Sequence, residues 1–309
     1  MFSLLRGAPE DDEVAQMLAQ HGWDKGLVCF GLQSSENVVK ITTALNLLMK
    51  QDNFPHKTCR YVELQLNSKA ALQTAKDGSQ SMGVYSATWQ ILSSGRQCMP
   101  AVAIDGKVMM DSCRMLEELW TNYPDRTLNW AELAEVKRLL EINSKYSERL
   151  QQALKHWGWS AMNSTRANYK DFGPGKKDLA WEKETVKTID AFFGQLEEHL
   201  RKRKNDGLFN GYLVGKKLTL ADCAFINWPL SFSLVVGLDV AKRYPLTWAN
   251  SENLKMHSPA GSQEFYDTFP IFGHANGMMN MRNRGTWCFC FCGKGFHIEN
   301  PVYWSERQA

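Results

Sequence analysis

The sequence predicts an α/β domain followed by an all-α domain, with an extension at each end. Short apolar or alternating runs, which are typical of strands, are confined to residues 27–110. Beyond residue 126 apolar side chains recur every three or four positions, which is the pattern of amphipathic helices. A chain of 309 residues is long enough for two such domains, each with its own core.

The α/β domain begins with a predicted strand–helix–strand unit. Residues 27–32 form a compact apolar run, residues 38–48 carry apolar side chains at helical spacing, and residues 60–66 alternate. A crossover helix between two strands makes those strands parallel. Residues 67–96 are polar and are predicted to form one irregular helix and loops.

A hairpin and a helix complete this domain, so that its order is βαβ–ββα. Asp105-Gly106 separates two apolar runs and suits a type I′ turn, because both central residues of that turn need positive φ. Asp111-Ser112 then begins a helix, since Asp and Ser oxygens accept the unpaired N–H groups of a first turn.

The second domain is predicted to contain two long helices, over residues 129–157 and 177–203, and a third, more apolar helix. The third helix is expected to run from Thr219 to about Val240 with a kink at Pro229. Thr219 and Asp222 fit a capping box at its start.

These patterns divide the chain into four segments. We predict an N-terminal extension over residues 1–26, an α/β domain over 27–122, a helical domain over 127–250 and an irregular C-terminal extension over 251–309.

Composition and charge exclude several classes of protein. The net charge of +3 is too small to indicate a nucleic-acid partner, and no stretch reaches the ~20 apolar residues that cross a bilayer. The 8 cysteines lack the spacing of a disulfide framework, which indicates a reducing compartment. We therefore expect a protein without a membrane span in the cytoplasm, or in an organelle with a reducing lumen.

A cysteine cluster near the C-terminus suggests a metal site, which we set aside. Cys288, Cys290 and Cys292 would share one face of a strand at ~6.8 Å intervals, with His297 nearby. Zinc needs sulfurs about 4 Å apart, so the better interpretation is buried thiols opposite aromatic rings, and no metal is predicted.

Three segments resemble the glutathione-transferase superfamily. In residues 35–45 a serine opens a helix that ends in Ala-Leu, and residues 99–112 are similar to the family's cis-proline loop, hairpin and Glu-Ser motif. Residues 212–222 resemble its helical-domain signature. The resemblance implies a thioredoxin-like domain followed by the family's helical bundle.

The resemblance also implies a glutathione site, in which Ser35 stabilises the thiolate. A free thiol has a pKa of ~8.5, and a hydroxyl donating to the sulfur at a helix N-terminus favours the charged form. Ser34 is the alternative hydroxyl. Valine, cysteine and phenylalanine at positions 28–30 replace the tyrosine of the Tyr-using classes, so the Ser-using classes are implied. The alternative is that Ser35 only caps its helix.

By the same resemblance, Met99 offers main-chain groups to the cysteinyl part of glutathione, beside a cis Pro100. Ser112 and its helix N-terminus hold the γ-glutamyl carboxylate. Asp111 stands where the family has Glu and would meet the α-amino group. The alternatives are an ordinary strand-start proline at position 100 and a simple helix cap at Asp111.

Three functions remain open from the sequence, the third of which is a ligand-binding or stress-response protein with residual activity. The first is a glutathione transferase that conjugates the thiolate of glutathione to a small electrophile, as in detoxification, and family members are commonly homodimers. The second is a non-catalytic structural or assembly subunit that binds protein partners through the C-terminal extension. Glu36 in place of the family's proline, and the extra residues at 94–100, favour the second.

Overall fold

The structure is a computed structural model that describes residues 11–32, 35–65, 68–95, 99–154, 179–233 and 238–255. It divides into two compact units, Met1–Thr127 and Leu128–Ala309. The strands are β1 Leu27–Gly31, β2 Arg60–Gln65, β3 Gln73–Thr74, β4 Gln80–Gly83, β5 Ala101–Ile104 and β6 Lys107–Met110. The helices of the first unit are α1 Asp11–Gln20, α2 Glu36–Met49, α3 Ala87–Leu92 and α4 Ser112–Asn122. Those of the second unit are α5 Trp130–Leu154, α6 Leu179–Asn205, α7 Leu220–Phe225, α8 Trp228–Ser231, α9 Val240–Arg243 and α10 Pro245–Lys255.

The first unit contains a six-stranded sheet in the order β3-β4-β2-β1-β5-β6. Strands β1, β2 and β4 are mutually parallel, whereas β5 runs antiparallel to both β1 and β6. The predicted βαβ–ββα order is therefore confirmed. Asp105 and Gly106 both have positive φ, 47° and 81°, as the predicted type I′ hairpin turn requires.

The segment 67–96 differs from its prediction, because it contains two strands as well as a helix. Strands β3 and β4 are short and polar, so they lack the alternating apolar pattern by which a strand is recognised. Main-chain pairing holds them instead: β4 pairs with β2, and β3 pairs with β4 at the edge of the sheet.

Helix α1 is part of the core of this unit. Its residues Met17 and Leu18, and Trp23 just after it, are buried against β1, β2 and the α3 residue Trp89. Burying side chains of this size contributes about 1.5–3 kcal/mol each. The segment before the first strand therefore covers one face of the sheet.

The second unit is helical, and aromatic side chains form much of its core. Phe192 of α6 stacks on Phe225 with ring centroids 5.4 Å apart and meets Trp228 edge to face. The two long helices have nearly the predicted bounds. The capping box of Thr219 and Asp222 at the start of α7 is confirmed.

The third predicted helix is broken rather than kinked. Helix α7 ends at Phe225, and α8 begins at Trp228 with Pro229 in its first turn. Proline fits there because the N–H groups of a first turn have no partner within the helix. The last helix, α10, continues to Lys255, five residues past the predicted end of the helical domain. No helix in the described ranges is long and apolar enough to span a membrane.

Candidate functional site

The strand register brings three predicted ligand-binding segments to one end of the sheet, where the strands terminate. Phe30 near the end of β1 pairs with Ala101 at the start of β5, and Ala101 pairs with Met110 at the end of β6. Pro100 comes directly before Ala101, and α4 begins two residues after Met110. Ser35 and the start of α2 come five and six residues after Phe30. The parallel strands have their carboxyl ends here, and open α/β sheets bind their ligands at the carboxyl ends of their strands.

The α2 end of the site depends on a close approach between strand and helix. A Cβ atom built on Gly31 would lie 2.6 Å from Cγ2 and 2.9 Å from Cγ1 of Val38. Only glycine therefore lets the first turn of α2 pack this tightly on the end of β1. Helices α2 and α4 both begin at this end of the sheet, and their N-termini give it a positive potential that favours anions.

Ser35 stands at the N-cap position of α2, but its side chain does not cap the helix. Its main-chain carbonyl accepts a hydrogen bond from Val39 at 3.0 Å, and its N–H donates to Leu32 at 2.8 Å. Within the described part of the chain, its hydroxyl makes no hydrogen bond to the first turn. Ser35 is half-buried at this helix N-terminus, and the role of its hydroxyl stays a prediction.

The Met99–Pro100 peptide bond is cis, as the resemblance implied. Pro100 is buried, whereas Met99 is half-buried with its side chain against the core of the unit. No described residue makes a hydrogen bond to the main-chain N–H or carbonyl of Met99. These two groups can therefore pair with an extended ligand.

Asp111 uses its side chain to cap α4. Its Oδ1 accepts hydrogen bonds from the N–H groups of Cys113 at 3.0 Å and Arg114 at 3.3 Å. The backbone of Asp111 has φ 73° and ψ 107°, a sparsely populated conformation that is found most often at functional sites. The helix-cap alternative is therefore realised for the carboxylate, which occupies part of the helix mouth itself.

Ser112 joins α4 to α2. It is almost fully buried, and its hydroxyl donates to Oδ1 of Asn37 at 3.2 Å. The same Oδ1 lies 3.4 Å from Nζ of Lys40, whose side chain is fully buried. The Ser112 N–H makes no hydrogen bond within the described ranges, so it remains free for an anionic ligand.

Sequence reasoning did not predict the roles of Asn37 and Lys40. The signal was a charged residue inside the apolar stripe of α2, one turn after an amide side chain. Charged side chains are almost never fully buried without a partner. The spacing of Asn37 and Lys40, three residues apart, therefore pointed to a buried polar contact.

Two other groups near this end of the sheet are unsuited to activating a ligand thiol. Tyr61 on β2 donates its hydroxyl hydrogen to the carbonyl of Gly31 at 2.6 Å, and burial, with the nearby Glu63, raises its pKa. Burial also raises the pKa of the Cys29 thiol on β1 well above its ordinary value. Neither group is charged near neutral pH.

Five of the six predicted site residues lie in the segments that adjoin this end of the sheet: Ser35, Met99, Pro100, Asp111 and Ser112. Ser34 lies outside the described residues. The cysteine cluster at 288–292 and His297 also lie outside them.

Comparison with known proteins agrees with this architecture. Residues 162–258 match the family described as glutathione S-transferase, C-terminal domain. No curated protein sequence matches the chain.

Several solved structures have the same fold. Ure2p in complex with glutathione is 16% identical with a TM-score of 0.55, over 84% of this chain and 97% of that one. The nitrogen regulation fragment of the yeast prion protein Ure2p is 17% identical with a TM-score of 0.52, over 78% of this chain and 96% of that one. The glutathione transferase URE2P6 from Phanerochaete chrysosporium, in complex with oxidised glutathione, is 18% identical with a TM-score of 0.52, over 83% and 99%. At these identities the likeness concerns the fold.

A thioredoxin-like sheet unit followed by a helical unit defines a glutathione-transferase fold. The chain has this fold, and its residues 162–258 match the C-terminal domain of the glutathione S-transferase family.

Proposed function

We propose that the chain binds glutathione at the end of the sheet where β1 and β6 end and β5 begins. The observation that supports this proposal is the register of Phe30, Ala101 and Met110, because the segments that carry Ser35, Met99 and Ser112 adjoin these paired residues. The fold supports it, because Ure2p and URE2P6 are described in complexes with glutathione and oxidised glutathione.

Each segment contributes one part of the binding. The main chain of Met99 pairs with the cysteinyl residue of glutathione, in the manner of an added strand. The Ser112 N–H and the positive end of α4 hold the γ-glutamyl carboxylate. The Ser35 hydroxyl donates to the cysteinyl sulfur, which lowers the pKa of the thiol together with the N-terminus of α2.

The reaction we propose is conjugation to a small electrophile. The thiol proton passes to water, and the sulfur then forms a bond to an electrophilic carbon. The leaving group departs from that carbon with its bonding electron pair. A part in detoxification and a homodimeric state belong to the same proposal, since both rest on the resemblance.

One observation favours the second candidate, a non-catalytic subunit. The Asp111 carboxylate already occupies two N–H groups of the α4 mouth. A carboxylate there repels the incoming γ-glutamyl carboxylate and competes for its donors. A chain that had lost glutathione binding could keep this arrangement at no cost.

Calorimetric titration of the full chain with reduced glutathione tests the proposal, together with the thiolate absorbance of the bound ligand. We expect saturable binding, and we expect Ser35→Ala to reduce the thiolate signal at neutral pH by about tenfold while glutathione still binds. Thr188→Ala removes a hydroxyl from the helical unit and is the matched control.

The outcomes separate the two candidates. If glutathione does not bind, the enzyme proposal fails and the non-catalytic candidate stands. If glutathione binds but Ser35→Ala leaves the thiolate signal and the conjugation rate unchanged, the role of Ser35 is wrong while the binding site survives.

A further inference from the structure

A groove of the sheet unit lies along the outer edge of β6 and extends to the end of that strand, where Met110 and Arg114 line it. Its volume is about 500 Å³. Its walls come from α1, the end of α3, β6 itself and α4, including Val14, Ala15, Leu92, Val108 and Met115. We call this the edge groove.

Among the described residues, β6 has no main-chain partner on the side that faces the groove. Strand β6 is the last strand of the sheet and pairs only with β5. Within the described ranges, no other hydrogen bond reaches the main chain of residues 107–110. A free strand edge is a template for the pairing of another extended chain.

A buried hydroxyl without a partner also lines the edge groove. Ser93 is fully buried, and its Oγ makes no hydrogen bond to any described residue. Its main-chain N–H, by contrast, donates to the carbonyl of Trp89 at 2.8 Å. Leaving such a group unsatisfied costs about 1–3 kcal/mol, which a ligand carbonyl or N–H in the groove would recover.

The two faces of strand β6 carry side chains of different chemistry. Val108 and Met110 pack on the core that contains Trp89 and Leu92, so this side of the groove is apolar. Lys107 points to the other side, where its Nζ lies 3.4 Å from Oε2 of Glu118 on α4.

The α4 side of the edge groove carries a net positive charge. Nε of Arg114 lies 3.6 Å from Oε1 of Glu118, so one carboxylate faces two cations. The side chains of Lys107 and Arg114 are 68% and 77% exposed and remain open to a further acidic group. Charge complementarity therefore favours an acidic partner on this side.

We propose that the edge groove binds an extended peptide segment of a partner protein, which adds a seventh strand beside β6. Successive side chains of a strand point to opposite faces. The bound segment therefore alternates apolar residues, facing Val14, Ala15 and Leu92, with acidic residues, facing Lys107 and Arg114. Ser93 binds its main chain or a short polar side chain.

A fluorescein-labelled peptide of alternating valine and glutamate tests the proposal by fluorescence anisotropy with the full chain. We expect saturable binding below about 1 mM. We expect binding about tenfold weaker when alternate amides are N-methylated, because a methylated amide cannot pair with a strand edge. Lysine in place of glutamate should weaken binding to the same extent.

Variants of the protein separate the contributions. Lys107→Glu should weaken binding by about tenfold, whereas Lys137→Glu, an exposed lysine of the helical unit, should change it less than twofold. Ser93→Ala should weaken binding about threefold or more, with Ser147→Ala of the helical unit as its control. Glutathione binding should be unaltered in both edge-groove variants, which keeps this test independent of the proposed function.

Three outcomes would overturn the inference. The first is an absence of saturable binding, which would leave β6 as an edge protected by Lys107. The second is equal affinity for the N-methylated and unmethylated peptides. The third is a dimer in sedimentation velocity that Lys107→Glu converts to monomer, because the occupant of the edge groove would then be a second copy of this chain.

Discussion

Ser112 donates its hydroxyl hydrogen to Oδ1 of Asn37 across 3.2 Å, and this one bond joins the first turns of α4 and α2. Lys40 approaches the same oxygen to 3.4 Å from a fully buried position. Asn37 therefore fixes the separation of two helix N-termini on which the proposed glutathione site depends.

Removing the Asn37 amide should loosen this connection. We expect Asn37→Ala to weaken glutathione binding about fivefold, and to lower the free energy of unfolding by about 1–3 kcal/mol because buried donors lose their acceptor. Asn37→Asp keeps the acceptor and should restore most of the stability. Calorimetric titration and urea unfolding measure the two effects, and equal stability of both variants with the wild type would contradict the role of Asn37.

Lengthening the Asp111 side chain should open the α4 mouth. In Asp111→Glu the carboxylate moves one methylene away from the Cys113 and Arg114 N–H groups, which a ligand carboxylate can then use. We expect glutathione affinity to rise about threefold and stability to fall by about 0.5–1 kcal/mol as the cap weakens. Asp239→Glu, at the cap of α9, is the matched control. A fall in affinity with Asp111→Glu would show that Asp111 itself contacts the ligand.

The contact between Gly31 and Val38 gives a test by double mutation. Gly31→Ala places a methyl group 2.6 Å from Val38 and should cost about 1–3 kcal/mol of stability, with weaker glutathione binding because α2 shifts. Val38→Ala removes the clashing methyl groups. We expect the double variant to be more stable than the sum of the single effects by about 1 kcal/mol or more. Strict additivity in urea unfolding would contradict the contact.

The buried Asp222 predicts a pH dependence of stability. Burial raises its pKa from 3.8 to about 6, although the N–H of Leu213 and the Thr219 side chain and N–H favour its charged form. The folded chain thus binds this proton more tightly than the unfolded chain. The contribution of Asp222 is fully present below about pH 4 and is lost as the pH rises through 6, on the order of 1 kcal/mol per pH unit.

Asp222→Asn should remove that pH dependence. The variant is less stable overall, because an amide cannot accept all three of the hydrogen bonds that Asp222 receives. Its difference from the wild type should shrink as the pH rises from about 4 to 6 in urea unfolding. Asp206→Asn, at an exposed position, should leave the profile unchanged, and a parallel pair of profiles for Asp222→Asn and the wild type would contradict the assignment.

The order of elements could be predicted wherever local patterns are strong. The apolar run at 27–31, the Asp-Gly turn at 105–106 and the long amphipathic helices each follow from side-chain periodicity or backbone preference within a few residues. Strands β3 and β4 could not be predicted in this way. They are polar, and the backbone of Ser68, which lies outside the local pattern, approaches the end of β4 so closely that only a glycine fits at position 83.

The same division applies to the site. The sequence placed Ser35 and Ser112 at the starts of their helices because capping signals are local, whereas the cis Pro100 was implied by the family resemblance. The direction of the Asp111 carboxylate, by contrast, depends on a positive φ of 73° that the preceding hairpin and α4 impose together. The contact of Ser112 with Asn37 joins residues 75 positions apart.

By itself, the sequence determined the βαβ–ββα order, the two helical stretches and the three segments that carry potential ligand contacts, since these depend on neighbouring residues. Only the tertiary structure decided that the three segments adjoin one end of the sheet and that the Asp111 carboxylate caps its own helix. It also decided that β6, among the described residues, pairs on one side only. Those features depend on strand register and on partners distant in the chain, and a local pattern holds no information about which distant group will satisfy a buried donor or acceptor.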